Sequence, residues 1–522
     1  MTTPLRRRGF LGLLGATGVA GLSGLSGCGT ETLGELLTSR MPLPRPFQVP
    51  LPIPPVARPV RSAGDTDYYE ITQRPAEVEI LPGVRTTIWG FDGRFPGPTI
   101  EARSGRRSVV RHHNALELPV SVHLHGGRTS PEHDGYPTDL ILPAGERDGT
   151  AYTGGDGTAG WSFHPGSKDY IYPLEQRAAS LWYHDHRMNF TGPQMYRGLA
   201  GFHLVHDDED DALPLPKGDK DIPLMICDRA FAEDGSMLYP ALDPSLREMP
   251  GVEPAYTEGV LGDVILVNGA PWPVLEVTNT RYRFRLLNAS NARNYKLTLD
   301  PRPQEGAAFI QVGSDGGLLP KPIEHHELKI APGERYDLVV DFSRYPVGSH
   351  VTLANTYARA RQRDVMRFRV TRRERDESVI PKRLSDFEQL RASQATVTRD
   401  FRFQRGTGRP NDPILKTWTI NDHGFDPMQV AARPRLGDTE IWRFTTDFHH
   451  PVHLHQVHFQ VLSRHGREPD RQDAGWKDTV DLKAHDQVDV IVRFDGFRGR
   501  YVFHCHNLEH EDMAMMANYQ IV

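Results

Sequence analysis

His504-Cys-His-Asn-Leu-Glu-His-Glu-Asp-Met-Ala-Met515 stands near the end of the chain, with only seven residues after it. Its reading turns on whether the head of the stretch is a β-strand. In a strand, residues i and i+2 point to one face and the residue between them points to the other. His504 and His506 then share a face, and Cys505 looks out from the back of the same strand. One tripeptide thereby serves two separate places in the fold, joined by the shortest covalent path a chain can offer.

The back face is the simpler one. A thiolate at Cys505 has His510 and Met515 five and ten residues downstream and His450, ahead of Pro451, upstream. Two imidazoles, a thiolate and a weak thioether form the donor set of a blue-copper electron-transfer centre. Zinc would not use the methionine. On the front face the pattern repeats: His123-Leu-His125, His184-Asp-His186 and His453-Leu-His455 join His504-Cys-His506, making four His-x-His triplets. A single such pair is weak evidence. Four are not, and they fall in the first and last parts of the chain and are absent from the middle. Eight imidazoles gathered at a domain interface would hold three metal ions at two to three ligands each.

The rest of the chain supplies the strands. Ala76–Ile80, Ser108–Val110, Val264–Val267, Tyr282–Leu287, Tyr336–Asp341 and Val488–Phe494 are short apolar runs or alternations of β type, closely spaced and broken by Gly, Pro, Asn and Asp. With 48 Gly and 42 Pro in 522 residues, the composition favours a turn-rich all-β chain. Asp386–Ser393 is the one short helix expected. A β-unit recurs near Phe91–Asn114, Val267–Asn288 and Thr419–Phe444, each copy a turn, a strand, a tight turn and a strand. Three related domains are expected, at about 65–205, 206–375 and 390–522, with a solvated charged connector opening at Arg372-Arg-Glu-Arg-Asp-Glu377.

A formal net charge of −6 argues against nucleic-acid binding. Three cysteines, Cys28, Cys227 and Cys505, make no disulfide framework. Cys227, in an apolar run, reads as a buried structural thiol. Residues 1–28 read as an export signal: Arg7-Arg-Gly-Phe-Leu11 has the twin-arginine form, and Leu25-Ser-Gly-Cys28 resembles a bacterial lipobox. The expected protein is extracytoplasmic, held at the membrane only through lipid on Cys28. Residues 29–64 follow as a tether, with eight prolines between Met41 and Val60.

Taken together, His123-Leu-His-Gly126, Leu181-Trp-Tyr-His-Asp-His186, His450-Pro-Val-His-Leu-His455, Gly475-Trp-Lys-Asp-Thr479 and the His504–Met515 stretch resemble the multicopper oxidases, from about Leu51 to Val522. Within that family the chain looks most like the three-domain spore-coat laccase and bilirubin oxidase group, to which Pro131-Glu-His-Asp-Gly-Tyr136 points. The resemblance implies three cupredoxin-like Greek-key β-sandwich domains and four copper ions. It implies that His450, Cys505, His510 and Met515 hold the type 1 ion, and His123 and His453 the type 2 ion. It implies that His125, His184, His186, His455, His504 and His506 hold the type 3 pair, while Asp134 and Glu511 supply protons near dioxygen. The chain departs from the group in lacking cysteines for a disulfide at the substrate loop. It also lacks a methionine-rich insert, with 12 methionines and a single cluster at Met513, Met515 and Met516.

The implied activity is a laccase-like, copper-dependent oxidation of phenolic, aminophenolic or bilirubin-like reductants, one electron at a time, coupled to four-electron reduction of dioxygen to water. Electrons would enter through an outward edge of His510 and leave Cys505 for His504 and His506. The alternatives are a phenoxazinone-forming o-aminophenol oxidase or a metal-ion oxidase. A copper-carrier lipoprotein without oxidase chemistry would have no use for eight paired histidines. The middle domain carries no ligands and reads as a spacer, and a monomer is expected. His112, His113, His325, His326, His449 and His458 read as surface or supporting residues, and Trp182 as packing.

Overall fold

The computed structural model describes residues 34–154, 157–406 and 418–522. The export signal and the Cys28 lipobox lie outside these residues. The chain builds three cupredoxin-like β-sandwiches, each from two facing sheets. The first pairs a five-stranded sheet around Thr66–Glu79 and Arg107–Asn114 with a four-stranded sheet of Ile100–Arg103, Val122–His125, Ala179–Asp185 and Ala200–His206. The second pairs an eight-stranded sheet around Asp221–Phe231 and Arg281–Asn288 with a five-stranded one around His350–Asn355 and Asp364–Arg372. The third pairs a five-stranded sheet around Thr398–Arg405 and Thr439–Thr446 with a four-stranded sheet of Thr479–Leu482, His450–Leu454, Gly499–Cys505 and Met516–Ile521. Among the described residues no α-helix exceeds six residues, and none is long and apolar enough to cross a membrane.

The sequence repeat has a structural counterpart. Its closing strands, Arg107–Asn114, Arg281–Asn288 and Thr439–Thr446, each pair in parallel with an early strand of their own sandwich, Thr66–Glu79, Asp221–Phe231 and Thr398–Arg405. Parallel neighbours need a long crossover between them, and here the crossover is the repeated unit itself. Alternation does the local work. Along Arg107–Asn114 the residues Ser108, Val110, His112 and Asn114 are buried, while Arg107 and Arg111 are exposed. In the third sandwich, Trp442 and Phe444 pack with Phe401, Phe503 and Tyr519 into the core that also encloses Cys505 and Met515.

Two expectations need correction. The proline-rich segment is not a free tether from residue 34 onward. Glu35–Leu37 pairs in parallel with Val260–Gly262, Phe47 and Leu51 donate to Trp272 and Val274, and Ala57 donates to Thr99. An extended proline-rich chain has no internal hydrogen bonds, so its N–H groups take acceptors on the second sandwich and then the first. Leu37 and Leu51 are buried there. Asp386–Ser393 is not a helix, and only Ala392–Gln394 makes a 3-10 turn. Gln460 accounts for the loss: its side-chain oxygen accepts from Gln389 and from the Leu390 backbone, holding that segment extended. The connector at 372–377 is exposed at Arg373 and Arg375 but pinned where Glu374 pairs with Lys220 and Asp376 with Arg281. Cys227 is a buried free thiol.

The aromatic packing of the third sandwich gives a direct test. Trp442→Ala empties a fully buried site and should lower unfolding stability by about 3–5 kcal/mol, read as a fall in the denaturant midpoint followed by circular dichroism.

Candidate metal centres

Two neighbouring strands in the first sandwich place His123 beside His184. The matching strands in the third place His453 beside His504. The two four-histidine sets face each other: His123 stacks on His455 with ring centroids 3.7 Å apart, and His125 stacks on His453 at 3.6 Å. All eight side chains are buried. The seam between the two sandwiches is therefore a near-symmetric box of imidazoles.

Each ring has two nitrogens, and hydrogen bonds sort most of them into an outer and an inner one. His123 Nδ1 donates to the Asp134 carbonyl at 2.5 Å, and His453 Nδ1 to the Asp478 carbonyl at 2.9 Å. His455 Nδ1 donates to Oδ2 of the Asp134 carboxyl at 2.8 Å, His184 Nδ1 to the Asp185 carbonyl and His504 Nδ1 to the Cys505 carbonyl. His125 is turned the other way, with Nε2 donating to Asp478 Oδ1 at 3.0 Å. What remains points inward. His123 and His453 oppose their Nε2 atoms at 3.4 Å. The Nε2 atoms of His186 and His455 each lie 3.2 Å from that of His504. His125 Nδ1, His184 Nε2 and both nitrogens of His506 are buried without a hydrogen-bond partner. Unshared lone pairs facing each other in a dry interior repel, and cations relieve that repulsion. The donor set fits first-row metal ions held by neutral imidazole.

Burial pushes His123, His125, His184, His455 and His506 well below the ordinary imidazole value, His453 below it, and His186 down to about 4. Two carboxyls flank the box in opposite states. Burial raises Asp134 well above the usual carboxylic value. Glu511 is also buried, but His504 and His186 outweigh that and hold it low; its Oε2 lies 3.1 Å from His504 Nδ1.

Behind the same strand, Cys505 Sγ lies 3.5 Å from His450 Nδ1 and 3.6 Å from His510 Nδ1, with those two nitrogens 3.0 Å apart. Met515 is buried in the same core, its carbonyl accepting from the Cys505 N–H and its N–H donating to the His510 carbonyl. Domain one carries Asp185 at the position equivalent to Cys505. That carboxylate is spent on Ser121, Arg187 and Gln194, so the back face there is structural.

Chain segments far apart in sequence thus present one thiol–imidazole set and one imidazole box, joined by a tripeptide. Family models described as multicopper oxidase match residues 394–522, 72–165 and 146–210. The chain is similar to the laccase of Bacillus subtilis (strain 168), at 36% identity over 89% of this chain and 96% of that protein.

The chain belongs to the multicopper oxidases.

It is also similar to the bilirubin oxidase of Albifimbria verrucaria, at 35% identity over 90% of this chain and 80% of that one. Among solved structures, a laccase from Pediococcus acidilactici superposes with a TM-score of 0.79 at 28% identity, covering 93% of this chain and 95% of that one. McoA from Aquifex aeolicus superposes at 0.76 and 30% identity, covering 91% and 99%. This multicopper oxidase is a laccase-like oxidoreductase with copper as cofactor and dioxygen as electron acceptor.

His510 sits differently from its sequence reading, and the other residues take packing or supporting places. His510 has no outward edge: it is fully buried and covered by Trp418, whose ring centroid is 3.8 Å away. The Arg405 guanidinium lies 5.0 Å above Trp418 and pairs with Glu258, both partly exposed. Trp182 packs directly on His184, at 4.2 Å. His112 lies in the first core, bound to Gln73, and His325 is tied to Gln311. His449 is tied to Asp481, and His458 donates to the Gly126 carbonyl beside the box. Sequence reasoning missed Asp478, although it lay inside a quoted motif, and missed Arg335, whose guanidinium grips it from the second sandwich. No spacing in the sequence links positions 143 residues apart.

Burial raises the Cys505 thiol well above its ordinary value, so the thiol is protonated until a metal displaces the proton. Copper titrated anaerobically into metal-depleted protein at pH 7 should release about one proton per chain more from the parent than from Cys505→Ser, read in weakly buffered indicator solution.

Proposed function

We propose that this oxidase takes single electrons from phenolic, aminophenolic or tetrapyrrole reductants at the Trp418 side of the third domain and delivers four of them to dioxygen, forming two waters. The observation that carries the reading is the His504-Cys505-His506 strand, whose sulfur sits among His450 and His510 while its flanking imidazoles sit in the eight-histidine box. His450, Cys505, His510 and Met515 are the proposed type 1 ligands, and His123 and His453 the type 2 ligands. His186, His455 and His504 would hold one type 3 ion and His125, His184 and His506 the other, following the two groups of inward nitrogens. When bound, copper supplies the one-electron acceptor behind the strand and the multi-electron site in front of it.

The chain's own residues do the rest. Trp418 shields His510 from water, while the Arg405–Glu258 pair and Phe448 form the polar and apolar rim over it. Among the described residues beside Trp418 none is placed to make a covalent bond with the reductant, which supports a loose substrate range. Cys505 leads through its own backbone to His504 and His506. Four protons must accompany four electrons, and buried imidazoles hydrogen-bonded outward have none to give inward. Asp134, held in its acid form, and Glu511, held ionised beside His504, are the proposed proton donor and relay. A cavity of about 820 Å³ is walled in part by Glu132, His133 and Tyr136, chain neighbours of the buried Asp134, and this proximity supports proton supply from that side.

An oxygen electrode with a panel of phenols, aminophenols, bilirubin and metal ions tests the reading. The parent should consume dioxygen with the organic reductants in a ratio of about one to four electrons. Glu511→Gln should slow reoxidation by dioxygen by about 10²–10⁴-fold in stopped flow, while bleaching of the blue band by the reductant keeps its parental rate. Unchanged reoxidation would remove Glu511 from the proton path.

The same reading places the protein outside the cytoplasm, exported through Arg7-Arg8 and anchored by lipid on Cys28, which the N-terminal motifs support. Mass spectrometry of the mature protein should find Cys28 as an acylated first residue, and an N-terminus elsewhere would end that proposal.

A further inference from the structure

The second sandwich brings no imidazole to the box, yet it reaches it. Arg335 opens the strand Arg335–Asp341 and crosses the seam to Asp478 of the third sandwich. Nη1 lies 2.6 Å from Oδ1 and Nη2 lies 2.5 Å from Oδ2, with both side chains fully buried. The same carboxylate meets His125 Nε2 at 3.0 Å and His453 Nδ1 at 3.5 Å. Asp478 therefore touches one ring from each half of the box, one of them proposed for the type 2 ion and the other for a type 3 ion.

The surroundings are built to hold this carboxylate still. Asp315, also from the second sandwich, accepts from the backbone N–H of Arg335 at 2.7 Å and from those of Asp478 and Thr479 at 3.3 Å. Lys477 is fully buried between Asp315 and Glu334, at 3.0 and 3.1 Å. Two glycines make room. A Cβ on Gly126, at φ +86°, would meet Arg335 Nη2 at 2.6 Å and Asp478 Oδ2 at 2.9 Å. A Cβ on Gly333, at φ +84°, would meet the His506 ring at 2.9 Å and His125 at 3.2 Å. Side chains at these positions would push apart the ion pair or the rings.

We propose that the second domain is a working part of the copper cluster. Through the two-pronged grip of Arg335 it fixes Asp478, whose carboxylate holds the outer nitrogen of His125 and whose backbone carbonyl holds that of His453. Arg335 is then a positioning residue. A two-pronged guanidinium–carboxylate pair sets orientation as well as charge, and a ligand's outer hydrogen bond decides which nitrogen faces the metal. Without Arg335 the Asp478 carboxylate keeps its burial but loses the contact that holds both oxygens, so His125 loses a fixed acceptor and the Asp478 backbone that holds His453 loses its side-chain anchor. A pair that only glued domains together would not need an oxygen on His125, nor glycines opened toward both.

The proposal rests on the reading that the eight imidazoles hold copper, and the experiment separates the two. Full-length, copper-loaded parent, Arg335→Met, Arg335→Lys and Asp478→Asn are compared. Arg293→Met serves as control, because its buried partner is Asp228 and it touches no ring of the box. Copper retained against a competing chelator, the type 2 electron paramagnetic resonance signal and the blue band are measured on each. Arg335→Met should weaken retention at the type 2 position by about 10- to 100-fold and shift its hyperfine splitting while the blue band stays intact. Arg335→Lys should recover part of both. Arg293→Met should lower thermal stability and leave the type 2 signal as in the parent. An Arg335→Met protein with parental retention and splitting overturns the proposal. If that variant does not fold, Asp478→Asn, which keeps the side chain's shape, carries the same expectation, and an unchanged type 2 signal in it is equally fatal. A parent with no type 2 signal would instead remove the copper reading underneath.

Discussion

A buried imidazole must place two nitrogens, and this protein is organised around where the outer one goes. Asp134, Asp478, and the carbonyls of Asp185 and Cys505 take the outer N–H groups of six of the eight rings. Each acceptor chosen on the outside leaves a bare nitrogen on the inside. Eight rings with converging lone pairs would not pack in a dry seam for the sake of stability. Their packing makes sense as a cradle for cations, and the rest of the fold is the rigid frame that keeps the outer acceptors in place.

That frame is a duplication put to two uses. The first and third sandwiches present the same pair of adjacent strands to the seam, His123 beside His184 and His453 beside His504. Their facing surfaces are therefore alike, as near-symmetric association requires. The symmetry is broken behind the strand. Asp185 anchors a loop and the short helix at Thr191–Tyr196, whereas Cys505 meets two more histidines inside an aromatic core. One residue type at one position separates a structural back face from one that sets a sulfur among imidazoles.

The second sandwich completes the charge balance of the seam. Arg335, Asp315 and Glu334 meet Lys477 and Asp478 at full burial. Breaking a buried pair leaves an uncompensated charge and is far more damaging than losing a surface one. The proline-rich segment from residue 34 acts on the outside in a similar sense, laying its backbone along the second and then the first sandwich.

Period-two alternation and the four His-x-His triplets determined the all-β class, the two donor sets and the tripeptide that joins them, because side-chain direction along a strand is a local property. The repeat at Phe91, Val267 and Thr419 likewise foretold three related sandwiches, since each copy carries its own turn and strand chemistry. Tertiary structure alone decided what depends on distant segments meeting. It set which nitrogen of each ring faces inward, that Trp418 covers His510, that Gln460 keeps residues near Leu390 extended, and that Arg335 grips Asp478. None of these has a sequence signal, because a hydrogen bond between residues more than a hundred positions apart leaves no periodicity in either one.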